Sequence, residues 1–129
     1  ILHDEQPPIF GTGKQSRDFT YIDNVVEANI LSATISLRPA TCDLRPNVVI
    51  HEIFNVANGK DNTVLQLVEY LNKIIGKDIK PLFLPIRSGD VFRTCADITK
   101  IKAKLGYNPT VNFEEGLKRT VEYFRRDCF

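Results

Sequence analysis

Apolar residues at Val26, Ile30, Ala33 and Leu37, spaced by four, three and four, lay one stripe along a segment and predict an amphipathic helix. Asp23 or Asn24 precedes the stripe and suits the N-cap, where a side-chain oxygen accepts an orphan N–H. Arg38-Pro39 ends it, and residues 39–47, with two prolines, read as a loop. A second stripe, Val64, Leu67, Val68, Leu71, Ile74 and Ile75, opens on the capping box Thr63-x-x-Gln66 and stops at Gly76, a natural C′ residue. A third runs through Phe113, Leu117, Val121 and Phe124 behind another box, Asn112-x-x-Glu115. A short helix from about Ile98 to Leu105 should halt at Gly106, with Pro109 beyond and Asp97 and Thr99 as caps.

Period-two patterns fall between these helices. Phe19 to Ile22 alternates like a strand, and Val48 to Val56, rich in β-branched residues, reads as a buried strand that turns at Asn58-Gly59. Ile79 to Ile86 is strand-like but carries Pro81 and Pro85, which cannot donate to a ladder, so it belongs at an edge. Ile1 to Gln6 reads as a frayed helix end closed by Pro7-Pro8. The order is mixed α/β, without repeats, low complexity or linker.

Composition narrows the possibilities. With 129 residues, 43% hydrophobic and 26% charged, residues 1–129 make one ordinary globular domain. A net charge of +1 with scattered basic residues gives no footprint for nucleic acid, and no apolar run approaches membrane-spanning length. Cys42, Cys95 and Cys128 are odd in number and far apart, which fits free thiols in a reducing, cytoplasmic setting. His3 and His51 are the only histidines, no Cys or His pair has ligand spacing, and no metal site is expected.

Candidate chemistry concentrates in Ile9 to Val26, I-F-G-T-G-K-Q-S-R-D-F-T-Y-I-D-N-V-V. Glycines at 11 and 13 let backbone approach a ligand closely, and the fork of Arg17 beyond them suits bidentate phosphate recognition. A Walker A loop is excluded: it needs an earlier glycine four residues before Gly-Lys and a Ser or Thr at position 15, which is Gln. The dinucleotide fingerprint is excluded too, since its third glycine and following helix are missing. No local signature supports a Ser-His-Asp or Cys-His nucleophile. Arg87 stands just before a second turn, Gly89-Asp90. Taken alone, the two arginines could equally be surface residues paired with Asp18 and Asp90, and Phe10 could be plain core.

The run G-T-G-K-Q-S-R-D-F-T-Y-I-D-N-V-V-E-A resembles the start of the substrate-binding half of the extended short-chain dehydrogenase/reductases, the NAD-dependent sugar-nucleotide epimerases and dehydratases. Three further signatures follow in the same order: F-N-V-A-N-G with Thr63 beyond it, R-S-G-D at Arg87 to Asp90, and A-D-I-T-K…L-G-Y-N-P…F-E-E-G-L from Ala96 to Leu117. The resemblance implies a C-terminal portion lacking the N-terminal Rossmann domain, whose Gly-rich fingerprint and Tyr-x-x-x-Lys pair have no counterpart here. A first residue of Ile agrees with that expectation.

What the resemblance implies for function is specific. Arg17 and Arg87 would grip the pyrophosphate of a UDP-sugar, Asp90 would hold ribose hydroxyls, and Pro8, Ile9 and Phe10 would run beside the uracil. Val64 would add a further nucleotide contact. No catalytic residue lies in this stretch. NAD, bound mainly by the absent domain, would serve C4 epimerisation of a UDP-hexose or UDP-N-acetylhexosamine. A dehydratase, decarboxylase or reductase on a nucleotide sugar, or a binding module without turnover, are the alternatives. Similar enzymes dimerise through helices of the absent domain, so a homodimeric parent is an expectation only for the longer chain. Thr94 stands four residues after Asp90, where glucose-restricted epimerases carry a bulky tyrosine; it either leaves space for an N-acetyl group or merely ends a strand. The helix matching Asn24 to Leu37 and the strand matching Ile53 to Val56 pack onto the cofactor domain in similar enzymes, so the Val26–Leu37 stripe should stand exposed here.

Overall fold

The computed structural model of the chain describes residues 1–34 and 52–127. Leu37, the 39–47 loop, residues 48–51 of the expected strand, Cys42, His51 and Cys128 lie outside the described residues. The elements run β1 (Pro8–Phe10), β2 (Ser16–Arg17), α1 (Ile22–Thr34), β3 (Asn62–Thr63), α2 (Val64–Ile75), β4 (Leu82–Leu84), α3 (Thr99–Leu105) and α4 (Phe113–Asp127). The α/β order agrees with the sequence reading.

Both helix stops and one helix start form as the residues predict. The Gln66 amide donates to the Thr63 hydroxyl while the Thr63 N–H donates to the Gln66 side chain, completing the capping box of α2. Gly76 and Gly106 close α2 and α3 in the left-handed conformation. The second box is half-built: the Glu115 N–H donates to Asn112 Oδ1 at 2.9 Å, but the Glu115 carboxylate turns away to Arg119 at 2.8 Å. An ion pair one turn along has outcompeted the reciprocal cap.

Two two-stranded sheets carry little area but fix the register. β1 pairs in parallel with β4, Pro8 opposite Leu82 and Phe10 opposite Leu84. Pro81 and Pro85 bracket β4 and trim the expected Ile79–Ile86 strand to three residues on an edge. β2 pairs antiparallel with β3, Ser16 opposite Thr63 and Arg17 opposite Asn62, and Ser16 also bridges Arg93. The core lies between α1 and α3, where Ala28, Ala57, Ile98, Ile101, Leu105 and Tyr107 are buried. Burial pushes the Tyr107 phenol pKa up, and its hydroxyl donates to the Ala57 carbonyl at 3.0 Å. α2 packs on α4.

Several expectations are corrected. Phe19 to Ile22 is not a strand: Phe19 stacks at 5.3 Å on Phe113, its carbonyl accepts from Asn58, and Ile22 already begins α1. The alternation there reflects tertiary packing, not pairing. Asn24 is not an N-cap, and Asp23 lies inside the helix as well. Asn24 sits in the first turn, wholly buried, and its amide reaches across to residues 110–111. Glu52 to Val56, the described part of the expected strand, pairs with no described strand. It is tied instead by Asn55 to the Asp97 carbonyl and by Lys100 to the Ile53 carbonyl. Ile1 to Gln6 forms a turn, with Asp4 at φ 63°, and not a helix end. Phe124 is 44% exposed and stacks edge-on with Tyr123, so the inward face of α4 ends at Val121. On α1 the buried side is Asn24 and Ala28, while Ile22, Val26 and Ile30 stand exposed. No helix among the described residues is long and apolar enough to cross a membrane.

Candidate functional site

Glycine at position 13 brings two segments together. At φ +74° its missing Cβ would lie 2.7 Å from Leu65 Cγ, so no side chain fits between the turn and the first residues of α2. Leu65 N–H donates to the Gly13 carbonyl and Val64 N–H to the Gln15 carbonyl, both at 3.0 Å. Gln15 Nε2 donates to the Phe10 carbonyl at 2.7 Å. These bonds fix Val64 and Phe10 on two sides of one opening.

The third side is the turn after β4, where Asp90 N–H donates to the Arg87 carbonyl at 3.3 Å. The resulting cleft has a volume of about 380 Å³ and is lined by Pro8, Ile9, Phe10, Gln15, Val64 and residues 87–90. Thus Pro8, Ile9, Phe10, Val64, Arg87 and Asp90, drawn from distant parts of the sequence, meet around one space. The Arg87 guanidinium lies over the Phe10 ring, 3.4 Å from its centre. Arg17 stands behind Asp90: its Nη2 donates to Asp90 Oδ1 at 2.7 Å and its Nη1 to the Ser16 carbonyl at 2.8 Å. Phe10 is therefore a wall of the cleft as well as a packed ring.

Among the described residues Asp18 pairs with no arginine. Its carboxylate accepts from the N–H groups of Asn58 at 3.0 Å, Gly59 at 2.9 Å and Ala96 at 3.4 Å, tying the Asn58-Gly59 turn to the segment before α3. Thr94 is exposed and does not line the cleft; its N–H donates to the Ser16 carbonyl at 3.1 Å, beside the bridge to β2.

Sequence reasoning missed Gln15 and a three-residue cluster outside the cleft lining. Arg93 meets Asp61 with two bonds, Nε to Oδ2 at 2.8 Å and Nη2 to Oδ1 at 2.9 Å, and the Ser16 hydroxyl donates to the same Oδ2. Arg93, and then Ser16, hold the Asp61 carboxyl well below the ordinary value of 3.8. No local spacing announces this cluster, because its members come from three separate segments. Chemically, the cleft offers an aromatic face, a guanidinium and a carboxylate, with a second guanidinium behind. That set suits a planar base, an anion and a pair of hydroxyls.

Known proteins resemble the chain over nearly its whole length. The sequence model of the family described as GDP-mannose 4,6 dehydratase matches residues 1–120. UDP-glucuronate 4-epimerase of Thermodesulfobacterium geofontis is 38% identical over 128 residues, 98% of this chain and 36% of the relative. The structure of UDP-glucose 4-epimerase from Thermotoga maritima with UDP-glucose is 42% identical, with a TM-score of 0.82 over 99% of this chain and 37% of that one. A UDP-N-acetylglucosamine 4-epimerase from Methanobrevibacter ruminantium in complex with UDP-N-acetylmuramic acid is 36% identical, with a TM-score of 0.81 over 97% of this chain and 36% of that one. The chain thus spans a little over a third of the length of these relatives. With its four ordered motifs, its fold and the family match over nearly all its residues, this chain belongs to the GDP-mannose 4,6 dehydratase family of extended short-chain dehydrogenase/reductases.

Proposed function

We propose that residues 1–129 bind the UDP moiety of a nucleotide sugar, as the substrate-binding part of an NAD-dependent nucleotide-sugar 4-epimerase. One observation carries the reading: Pro8–Phe10, Val64 and Arg87–Asp90 converge on one cleft, with Arg17 bonded to Asp90 at its back. The base would lie along Pro8 to Phe10. Arg87 would leave the Phe10 face, and Arg17 would leave Asp90, to meet the two phosphates. Asp90, released, would accept from the ribose hydroxyls. Arg17 and Asp90 would exchange one charge-assisted bond for others and Arg87 a ring contact for one, so the cleft is already built of groups that ligand binding would use. Binding energy collected at the nucleotide would then hold the hexose against reactive groups elsewhere in the longer protein.

NAD would be bound mainly outside these residues. The Gly11-x-Gly13 turn lacks the third glycine and the following helix of a dinucleotide site, and β2 runs on instead. Relatives whose structures hold NAD, such as UDP-glucuronic acid 4-epimerase of Bacillus cereus, are longer to the same degree, this chain covering 37% of that one. Hydride chemistry is therefore assigned to the parent outside this stretch, in the cytoplasm. A decarboxylase reading has support from a relative too: UDP-glucuronic acid decarboxylase 1 of Danio rerio is 30% identical over 126 residues. Both reactions share the nucleotide grip. For the sugar, Thr94 stands outside the nucleotide cleft, at the position where glucose-restricted relatives carry a bulky tyrosine, and its smaller side chain favours an N-acetylhexosamine over a plain hexose.

The test is UDP titration calorimetry on the full-length protein. Arg17→Ala or Arg87→Ala should each weaken UDP binding by roughly 1.5–3 kcal/mol, the worth of a hydrogen bond to a charged group. NAD affinity should hold. Unchanged UDP affinity in both variants would overturn the reading.

A further inference from the structure

We propose that Arg93, Asp61 and Ser16 form a clasp that sets the width of the nucleotide cleft, with Arg93 as a positioning residue; this rests on the nucleotide reading above. The wall that carries Arg87 and Asp90 is held upstream by β4 on β1 and by Arg87 over the Phe10 ring, but its downstream side has little apolar anchoring. Ile86, Val91 and Phe92 are 73%, 56% and 68% exposed, so apolar burial does not fix the segment. Its place against β2 comes from polar ties. Ser16 N–H donates to the Phe92 carbonyl at 2.9 Å, and Thr94 N–H donates to the Ser16 carbonyl at 3.1 Å. Two ion pairs complete the set, Arg17 with Asp90 and Arg93 with Asp61.

The two pairs differ in what happens when a nucleotide enters. Arg17 and Asp90 both face ligand groups in the proposed complex, so their mutual bond is given up on binding. Arg93 and Asp61 lie outside the cleft lining, so their bond persists. The paired bonds of Arg93 fix direction as well as distance. Asp61 directly precedes β3, which leads into Val64 on the opposite wall, and it accepts from Ser16 on the strand that carries Arg17. One guanidinium therefore ties the segment after Asp90 directly to the start of β3 and, through Asp61, to β2. Because the neighbouring pair dissolves in the complex, the clasp restrains the bound state more than the free one, which is the condition for it to affect affinity.

The experiment uses the full-length protein with UDP as the probe, comparing wild type with Arg93→Gln, Arg93→Lys, Asp61→Asn and the Arg93→Gln/Asp61→Asn double variant. Arg93→Gln should weaken UDP about three- to fivefold, the scale of a partly exposed ion pair. The double variant should lose no more than either single change, as expected for two halves of one contact. Arg93→Lys should recover only part, since an ammonium cannot reproduce the fork. Amide exchange at Ser16 and Thr94 in the ligand-free protein should rise in Arg93→Gln, whatever UDP does. Unchanged exchange overturns the clasp. Unchanged UDP affinity in Arg93→Gln, with Arg17→Ala impaired, overturns its role at the cleft while the nucleotide reading stands. Losses that simply add in the double variant also overturn it. A wild-type protein that binds no UDP, with exchange raised as expected, removes the nucleotide reading and the cleft role with it.

Discussion

Replacing Asn24 with alanine should cost this fold more than any other single polar substitution on α1. Asn24 is fully buried and all four of its bonding positions are used. Its Nδ2 donates to the Val111 carbonyl at 2.7 Å and to Asn58 Oδ1 at 3.2 Å. Its Oδ1 accepts from Thr110 N–H at 3.1 Å and Val111 N–H at 3.0 Å. Not all of these losses count equally. Thr110 is exposed, so water replaces its partner, and Asn58 Oδ1, on a half-buried residue, is likewise within reach of water. Val111 is buried, and both its N–H and its carbonyl would be orphaned. At about 1–2 kcal/mol for each buried group left without a partner, the change should cost roughly 2–4 kcal/mol, before any cavity is counted. Asn29 is the internal control: it is the same residue type on the same helix, but its amide bonds only to the Val25 carbonyl in an exposed setting. Asn29→Ala should stay within about 0.5 kcal/mol of wild type. Urea unfolding of the full-length protein, fitted with a shared slope, gives both numbers. If Asn24→Ala and Asn29→Ala shifted the midpoint equally, the accounting of orphaned groups at Val111 would be wrong.

Two further outcomes are expected. The Asp61 carboxyl is held below its ordinary value, so the stability it contributes is fully present above pH 3.8 and is lost only as the pH falls below that toward its folded value. Its side-chain carbon resonance should therefore stay flat from pH 7 down to pH 4 in wild type and move upward into the ordinary titration range in Arg93→Gln; a normal titration in wild type would contradict the bidentate contact. Thr94→Tyr in the full-length protein should suppress turnover of UDP-N-acetylglucosamine while sparing UDP-glucose, and parallel loss of both, or of neither, would show that Thr94 does not gate the sugar.

What the sequence made legible was whatever depends on near neighbours. Thr63 and Gln66 are three residues apart, and Gly76 closes its own helix, so α2 could be bounded from local chemistry alone. The stretch Phe19 to Ile22 alternates as a strand would, yet its ring meets Phe113 and its carbonyl meets Asn58, partners that no local window contains. Asn24 misled for the same reason: an amide near a helix start suits a cap, and only the return of residues 110–111 gives it other work. The cleft divides along the same line. Arg17, Arg87 and Asp90 were marked by residue type and by resemblance to a family, whereas Gln15, Asp61 and Arg93 matter through geometry. Thr94 lies outside the lining of the nucleotide cleft, so its link to the sugar rests on the family resemblance alone.

The parallel pairing of β1 with β4 has a kinetic consequence. Pro8 sits opposite Leu82, and the other ties across the cleft, Arg17 to Asp90 and Asp61 to Arg93, also join residues far apart in the chain. No short segment can form the cleft, so it should appear late in folding, after the helices have closed the intervening loops. Nucleotide that binds only the assembled cleft then acts as a thermodynamic latch, raising the unfolding temperature with its concentration. A thermal shift with UDP would thus report assembly of the whole chain and not of one local turn.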